Sequence, residues 1–109
     1  MKLYYNPVST YSQKALIALY EKGIDFEREI VDLTSPQARA AYEAVYPIGK
    51  VPFLKASDDW SVPESTIIIE FLDDRFPDTP RLIPAGREEA RQVRFADRMA
   101  DFYVNDPVV

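Results

Sequence analysis

Hydrophobic and polar positions divide residues 1–31 into a strand, a helix and a second strand. Lys2–Tyr5 has high β propensity and is stopped by an Asn-Pro pair. From Gln13 to Lys22 apolar side chains recur at helical spacing, and Gly23 follows as a typical helix stop. Residues 24–31 alternate as a strand does, and because a helix joins the two strands, we expect a parallel pair with a right-handed crossover. The predicted buried face of the helix is Ala15, Leu16, Leu19 and Tyr20.

Residues 32–76 add a helix, a hairpin of two strands and a strongly apolar helix. Pro36–Val45 carries alanines and charges, which favours a short exposed helix. Strands are predicted over Val51–Ala56 and Trp60–Val62, with a turn between them. The next helix opens at Glu64 and Ser65 and runs through residue 76; its predicted buried stripe is Ile67, Ile68, Phe71 and Leu72, and its wet side Asp73, Asp74 and Arg75. This order predicts an α/β fold with a four-stranded mixed sheet covered by helices.

A proline-rich stretch separates this unit from a last helical pattern. We expect one domain over residues 1–77, a linker over 78–86, and a helical segment over 87–109. The periodic part of that segment, Glu88–Tyr103, has an apolar side with no obvious partner in the chain. We therefore expect either that a second, helical domain is missing or that another chain covers this apolar side.

Composition narrows the chemistry that the 109-residue chain can perform. It has no cysteine and no histidine, which excludes a protein thiolate nucleophile and makes a metal site improbable. Its net charge of −5, without a basic run, argues against nucleic acid and membranes as partners. No stretch reaches the roughly 20 apolar residues of a membrane span, and we expect a cytoplasmic protein.

The Val51-Pro52 step is unusual because proline cannot donate a hydrogen bond within a sheet. Only about 5% of such bonds are cis in folded proteins, so the residues alone do not decide the isomer. A cis bond here would leave the Val51 backbone N–H and C=O facing outward. The sequence thus raises the possibility of a peptide-binding edge.

Three segments together resemble the thioredoxin-like N-terminal domain of cytosolic glutathione S-transferases. They are residues 3–23, the run Gly49-Lys50-Val51-Pro52-Phe53-Leu54, and Pro63-Glu64-Ser65 with the apolar positions after it. The resemblance covers residues 1–76, the linker and the first helix of the C-terminal domain. It implies a βαβαββα thioredoxin-like fold and a cis-proline at Pro52.

The resemblance also implies glutathione as co-substrate, with no metal. Val51 would pair its backbone with the cysteinyl part, and Glu64 and Ser65 would hold the γ-glutamyl end. Lys50 would face the glycyl carboxylate as a point charge. The residues also permit plainer interpretations: Ser65 as a helix N-cap, Glu64 as a solvated acid and Lys50 as a surface lysine.

Ser9 stands where this family places its catalytic serine, tyrosine or cysteine. A hydroxyl there would donate a hydrogen bond that favours the glutathione thiolate over the thiol. Ser9 could instead be a capping residue, and Ser12 competes with it for either role. Tyr5, Thr10 and Tyr11 are further candidates for the catalytic hydroxyl or the pocket wall.

The function implied by the resemblance is attack of the bound thiolate on a hydrophobic electrophile, in a protein that is a homodimer at full length. The 109-residue chain alone is expected to be weakly active or inactive, because the electrophile pocket of such enzymes comes mostly from the helical domain. The alternative is a non-enzymatic thioredoxin-like interaction module.

Overall fold

A computed structural model describes residues 1–105 of the chain, with four strands, four α-helices and a π-helix. The elements are β1 (Lys2–Tyr5), α1 (Thr10–Lys22), β2 (Glu27–Ile30), α2 (Pro36–Val45), β3 (Phe53–Ser57), β4 (Trp60–Pro63), α3 (Ser65–Arg75), α4 (Arg87–Met99) and the π-helix (Ala100–Asn105). The predicted βαβαββα order is confirmed. Residues 106–109 of the predicted helical segment lie outside the described residues. None of the helices described is long and apolar enough to cross a membrane.

The strands form one mixed sheet in the order β2-β1-β3-β4. β1 and β2 are parallel, as predicted, because α1 carries the chain back to the starting edge. β1 pairs antiparallel with β3, and β3 pairs antiparallel with β4 in a hairpin. The sheet is therefore of the mixed, thioredoxin-like kind that the sequence predicted.

Two apolar layers cover the sheet, because neighbouring residues of a strand point to opposite faces. On one face, Leu3 and Leu54 pack with Leu19 of α1 and Leu72 of α3. On the other face lies an aromatic and apolar cluster under α2, composed of Tyr4, Val31, Tyr42 and Phe53, with Tyr46 and Val51 packed against it. The second cluster matters for function because it leads into the loop before β3.

Two strands are shorter than predicted at their starts. Gly23 adopts a left-handed conformation (φ 66°), and the Ile24 N–H donates to the Leu19 carbonyl. These contacts form a Schellman motif, so Ile24 belongs to the cap that follows α1 instead of beginning β2. β3 begins at Phe53 and not at Val51, because residues 51 and 52 lie outside the ladder.

Two predicted core positions are largely exposed. Tyr20 is 58% exposed and packs its ring along Phe26 and Arg28 on the surface beside β2. Ile67 is 49% exposed because α3 turns Ile68 and Leu72 towards the sheet. The prediction was wrong at both sites because the apolar stripe of each helix is narrower than its sequence pattern.

Asp73 was predicted on the wet side of α3, and this prediction was wrong. Its carboxylate lies 2.5 Å from the Lys22 ammonium, and the two side chains are 2% and 0% exposed. The Leu82 and Ile83 N–H groups also donate to this carboxylate. A buried charge is tolerated because the ion pair and the backbone donors compensate for its lost hydration.

Candidate functional site

A short loop between α2 and β3 brings the Val51 backbone to the surface. Its turn is closed by the Gly49 N–H, which donates to the Tyr46 carbonyl at 2.9 Å, and Gly49 has a positive φ of 74°. The Tyr42 hydroxyl then fixes the loop by donating to the Lys50 carbonyl at 2.7 Å. Burial raises the pKa of Tyr42, which keeps this donor protonated.

The Val51-Pro52 peptide bond is cis, as the resemblance implied. Within residues 1–105, the Val51 N–H and C=O make no backbone hydrogen bond to the rest of the chain. An unpaired backbone donor and acceptor on one residue can pair with an extended peptide in the manner of an added strand. The site therefore has an unpaired backbone edge at Val51.

Across from this loop, α3 begins with Glu64 and Ser65. Glu64 has a positive φ of 72°, which is uncommon for a residue other than glycine and is concentrated at functional sites. Ser65 is the first helical residue and is buried, whereas Glu64 is exposed and precedes the helix. Neither side chain caps the helix. Ser65 thus does not act as the N-cap that the sequence also allowed, and the positive end of α3 remains directed at the site.

A cavity of about 230 Å³ brings most of the predicted ligand-binding residues together. Five of them (Lys50, Val51, Pro52, Glu64 and Ser65) contribute to its wall, as does Tyr11 from α1. The complete lining is Tyr11, Tyr46, Lys50, Val51, Pro52, Glu64, Ser65, Arg98, Asp101 and Phe102. The wall therefore combines cationic and anionic side chains with three aromatic rings.

Ser9 is not part of this lining, and neither are Tyr5 and Thr10. Ser9 is the N-cap of α1, where its hydroxyl oxygen accepts a hydrogen bond of 3.2 Å from the Ser12 N–H. Tyr5 is buried in the apolar layer under α1 and α3. Thr10 is the first residue of α1 and is exposed.

The far wall of the cavity comes from Arg98 in α4 and from Asp101 and Phe102 in the π-helix, none of which sequence reasoning selected. The Arg98 guanidinium donates to the Asp101 carboxylate at 3.1 Å and lies over the Phe102 ring. The Tyr11 hydroxyl donates to the Asp101 carbonyl at 3.2 Å. This hydrogen bond joins α1 to the π-helix that forms the far wall of the cavity.

α4 does have partners in the chain, but they are polar, and Val93 and Met99 of its predicted apolar side stay partly exposed. The Lys14 ammonium of α1 lies 2.6 Å from the Asp97 carboxylate and 3.0 Å from that of Asp101. The Thr66 hydroxyl of α3 donates to Asp97 at 2.6 Å. Burial would raise the pKa of Asp97, but the hydrogen bonds from Lys14 and Thr66 outweigh it and lower that pKa. The four-residue spacing of Asp97 and Asp101 was the available signal, since it places both on one helical face.

Comparison with known families decides the classification. The family profile described as "Glutathione S-transferase, N-terminal domain" matches residues 3–80. The chain belongs to this glutathione S-transferase family. The earlier resemblance is therefore confirmed, and the family's N-terminal domain accounts for β1 through α3.

Known relatives of the chain include proteins of different named activities. Protein LigF of Sphingobium sp. is 35% identical over 105 residues, which cover 94% of this chain and 40% of LigF. A solved maleyl pyruvate isomerase, described as a bacterial zeta-class glutathione S-transferase, superimposes with a TM-score of 0.86 at 31% identity. The match covers 97% of this chain and 50% of that structure.

A third relative was solved with glutathione bound. It is a glutathione S-transferase from Methylobacillus flagellatus, 35% identical with a TM-score of 0.80, over 92% of this chain and 48% of that structure. The chain spans about 40% of the length of its relatives in sequence comparison. The substrates and partners of these longer relatives are therefore properties of those proteins.

Proposed function

We propose that this chain is a glutathione-binding domain of a glutathione S-transferase and that glutathione binds in the cavity between Val51 and Glu64-Ser65. The observation that carries the proposal is the meeting, in one cavity, of an unpaired backbone edge and a helix N-terminus with an acid beside it. These groups complement the chemistry of a small peptide that has a carboxylate and an ammonium group at one end.

Each part of glutathione has a complementary group in the wall. The Val51 backbone would pair with the cysteinyl unit, as a strand edge does. The γ-glutamyl carboxylate would be stabilised by the Ser65 hydroxyl and the positive end of α3, and its ammonium by Glu64. Lys50 would interact with the glycyl carboxylate as a flexible point charge.

Ser9 would act on the sulfur. A free thiol has a pKa of about 8.5 and is mostly protonated at neutral pH. A hydroxyl that donates to the sulfur, together with the N-terminus of α1, would favour the thiolate. The thiolate would then attack an electrophilic small molecule, and the nucleophile is supplied by the substrate in a chain without cysteine.

The remaining part of the proposal concerns the whole protein. We infer that the hydrophobic electrophile binds on the side of Tyr11 and Phe102, the part of the cavity wall formed by aromatic rings. We also propose domain limits of 1–77, 78–86 and 87–109, a homodimer in a full-length protein, and action in the cytoplasm. A non-enzymatic interaction module is the competing function.

Calorimetric titration of the chain with glutathione tests the proposal. We expect millimolar or tighter binding, and Ser65→Ala should weaken it about ten-fold because a hydrogen bond to a charged group is lost. Ser61→Ala, an equivalent change at an exposed position of β4, is the control and should bind normally. A folded chain with no detectable glutathione binding would favour the interaction module and refute the proposal.

A further inference from the structure

Tyr46 is held in one orientation at the edge of the cavity. Its N–H donates to the Tyr42 carbonyl at the end of α2, and its carbonyl accepts from Gly49, each at 2.9 Å. Its ring stacks on Phe53, with centroids 4.4 Å apart and planes inclined by 17°. The Tyr42 ring packs edge-on against it at 6.4 Å. Backbone and ring are thus both fixed before any ligand arrives.

The Tyr46 hydroxyl does not help to hold together the part of the fold that the structure describes. Tyr46 lines the cavity, and among residues 1–105 its hydroxyl makes no hydrogen bond. Burial and the negative charge of Glu64 both raise the pKa of Tyr46, so the phenol stays protonated and remains a donor. A donor on a side chain that is already held in one orientation loses little conformational entropy when a ligand binds.

We propose that the Tyr46 hydroxyl is a ligand-binding group that donates a hydrogen bond to the peptide carbonyl in the γ-glutamyl half of the bound molecule. The proposal rests on the glutathione-binding function proposed above. The γ-glutamyl half is selected because Tyr46 and Glu64, the residue proposed to hold that end, line the same cavity, and the Glu64 charge acts on the Tyr46 phenol. A neutral carbonyl is a better acceptor there than a second carboxylate, since Glu64 already supplies negative charge.

Tyr46→Phe tests the inference because it removes the hydroxyl and keeps the ring that stacks on Phe53. Affinities of the wild-type chain and the variant are measured by calorimetry for glutathione and for γ-glutamylcysteine, which lacks the glycyl unit. We expect Tyr46→Phe to weaken both ligands by the same factor of about five, the effect of one neutral hydrogen bond. Tyr20→Phe is the matched control, since its hydroxyl accepts from Arg28 on the surface and does not line the cavity.

The possible results separate this inference from the proposed function. Absence of binding by the wild-type chain would refute the function itself. Normal binding by the wild type with an unchanged affinity in Tyr46→Phe would overturn only the role of Tyr46. A loss restricted to glutathione would also overturn it, because the acceptor would then belong to the glycyl half. Equal melting temperatures of Tyr46→Phe and wild type would show that the comparison is made on the same fold.

Discussion

Ser9 is the N-cap of α1, and this role is compatible with the thiolate-stabilising role proposed for it. As N-cap of α1, its oxygen accepts the Ser12 N–H. A hydroxyl can accept through a lone pair and still donate its proton, so capping leaves the O–H available for a sulfur atom. The cap also restrains the side chain beside the N-terminus of α1. Capping and thiolate stabilisation are therefore compatible in one residue.

Ser9→Gly separates the two roles, because glycine costs only a few tenths of a kcal/mol at an N-cap. We expect the variant to bind glutathione with similar affinity but to raise the pKa of the bound thiol by about one unit, since a hydrogen bond to a charged group is worth about 1.5 kcal/mol or more. The measurement is a pH titration of the thiolate's ultraviolet absorbance in the complex. An unchanged thiol pKa would exclude Ser9 as the thiolate donor and direct attention to Thr10 or Tyr11.

At the scale of elements, α4 is attached to α1 and α3 by partly buried polar contacts instead of an apolar seam. Lys14 contacts both Asp97 and Asp101, while Val93 and Met99 remain partly exposed. Ion pairs that are mostly withdrawn from water are costly to break from one side, because the remaining charge is left without compensation. Lys14 thus links both α4 and the π-helix after it to α1.

Lys14→Met removes this charge and keeps the length of the side chain. We expect it to lower the stability of α4 by about 2 kcal/mol, less than for a fully buried pair because the partners retain some exposure. Hydrogen exchange should then accelerate in residues 87–99 and remain unchanged in β1 and β3. Arg91→Met provides the control, since its pair with Glu88 is exposed on both sides and should contribute little. Equal exchange in both variants would mean that the Lys14 contacts do not hold α4.

The sequence predicted the order of elements well because local periodicity and turn residues determine it. It failed at Tyr20 and Ile67, because the stripe of each helix that is buried against the sheet is narrower than the apolar pattern of its sequence. It also could not place Arg98 and Asp101 in the cavity wall, since they come from a helix more than 30 residues beyond Ser65. Val51, Glu64 and Ser65 could be selected from the sequence because the resemblance connects two local signals, a proline in a strand and an acid-serine pair before a helix.

At the scale of the whole molecule, the Lys22–Asp73 pair joins three separate segments. Lys22 ends α1 and also donates to the Pro80 carbonyl, while Asp73 in α3 accepts from Leu82 and Ile83. The segment that leads from α3 to α4 is thereby bound to the sheet domain. Burial acts to raise the pKa of Asp73, but the hydrogen bonds from Lys22 and the two N–H groups outweigh it, and the net effect lowers that pKa.

A lowered pKa makes this stabilisation dependent on pH. Because the folded state holds the Asp73 proton less tightly than the unfolded state, the contribution is complete above the unfolded pKa of about 3.9 and is lost as pH falls through the lower folded pKa. Asp73→Asn should therefore reduce the free energy of unfolding by about 3 kcal/mol at pH 7, where Lys22 is left as an uncompensated buried charge. The measurement is urea denaturation at about pH 7, 5 and 3. The free energy of unfolding of the wild type should approach that of the variant at the lowest pH.

Asp74→Asn, the same change at the exposed neighbouring position, is the control and should alter the free energy of unfolding by less than about 0.5 kcal/mol throughout. A constant difference between wild type and Asp73→Asn at all three pH values would show that the hydrogen-bonding shape of the side chain, and not its charge, stabilises the junction.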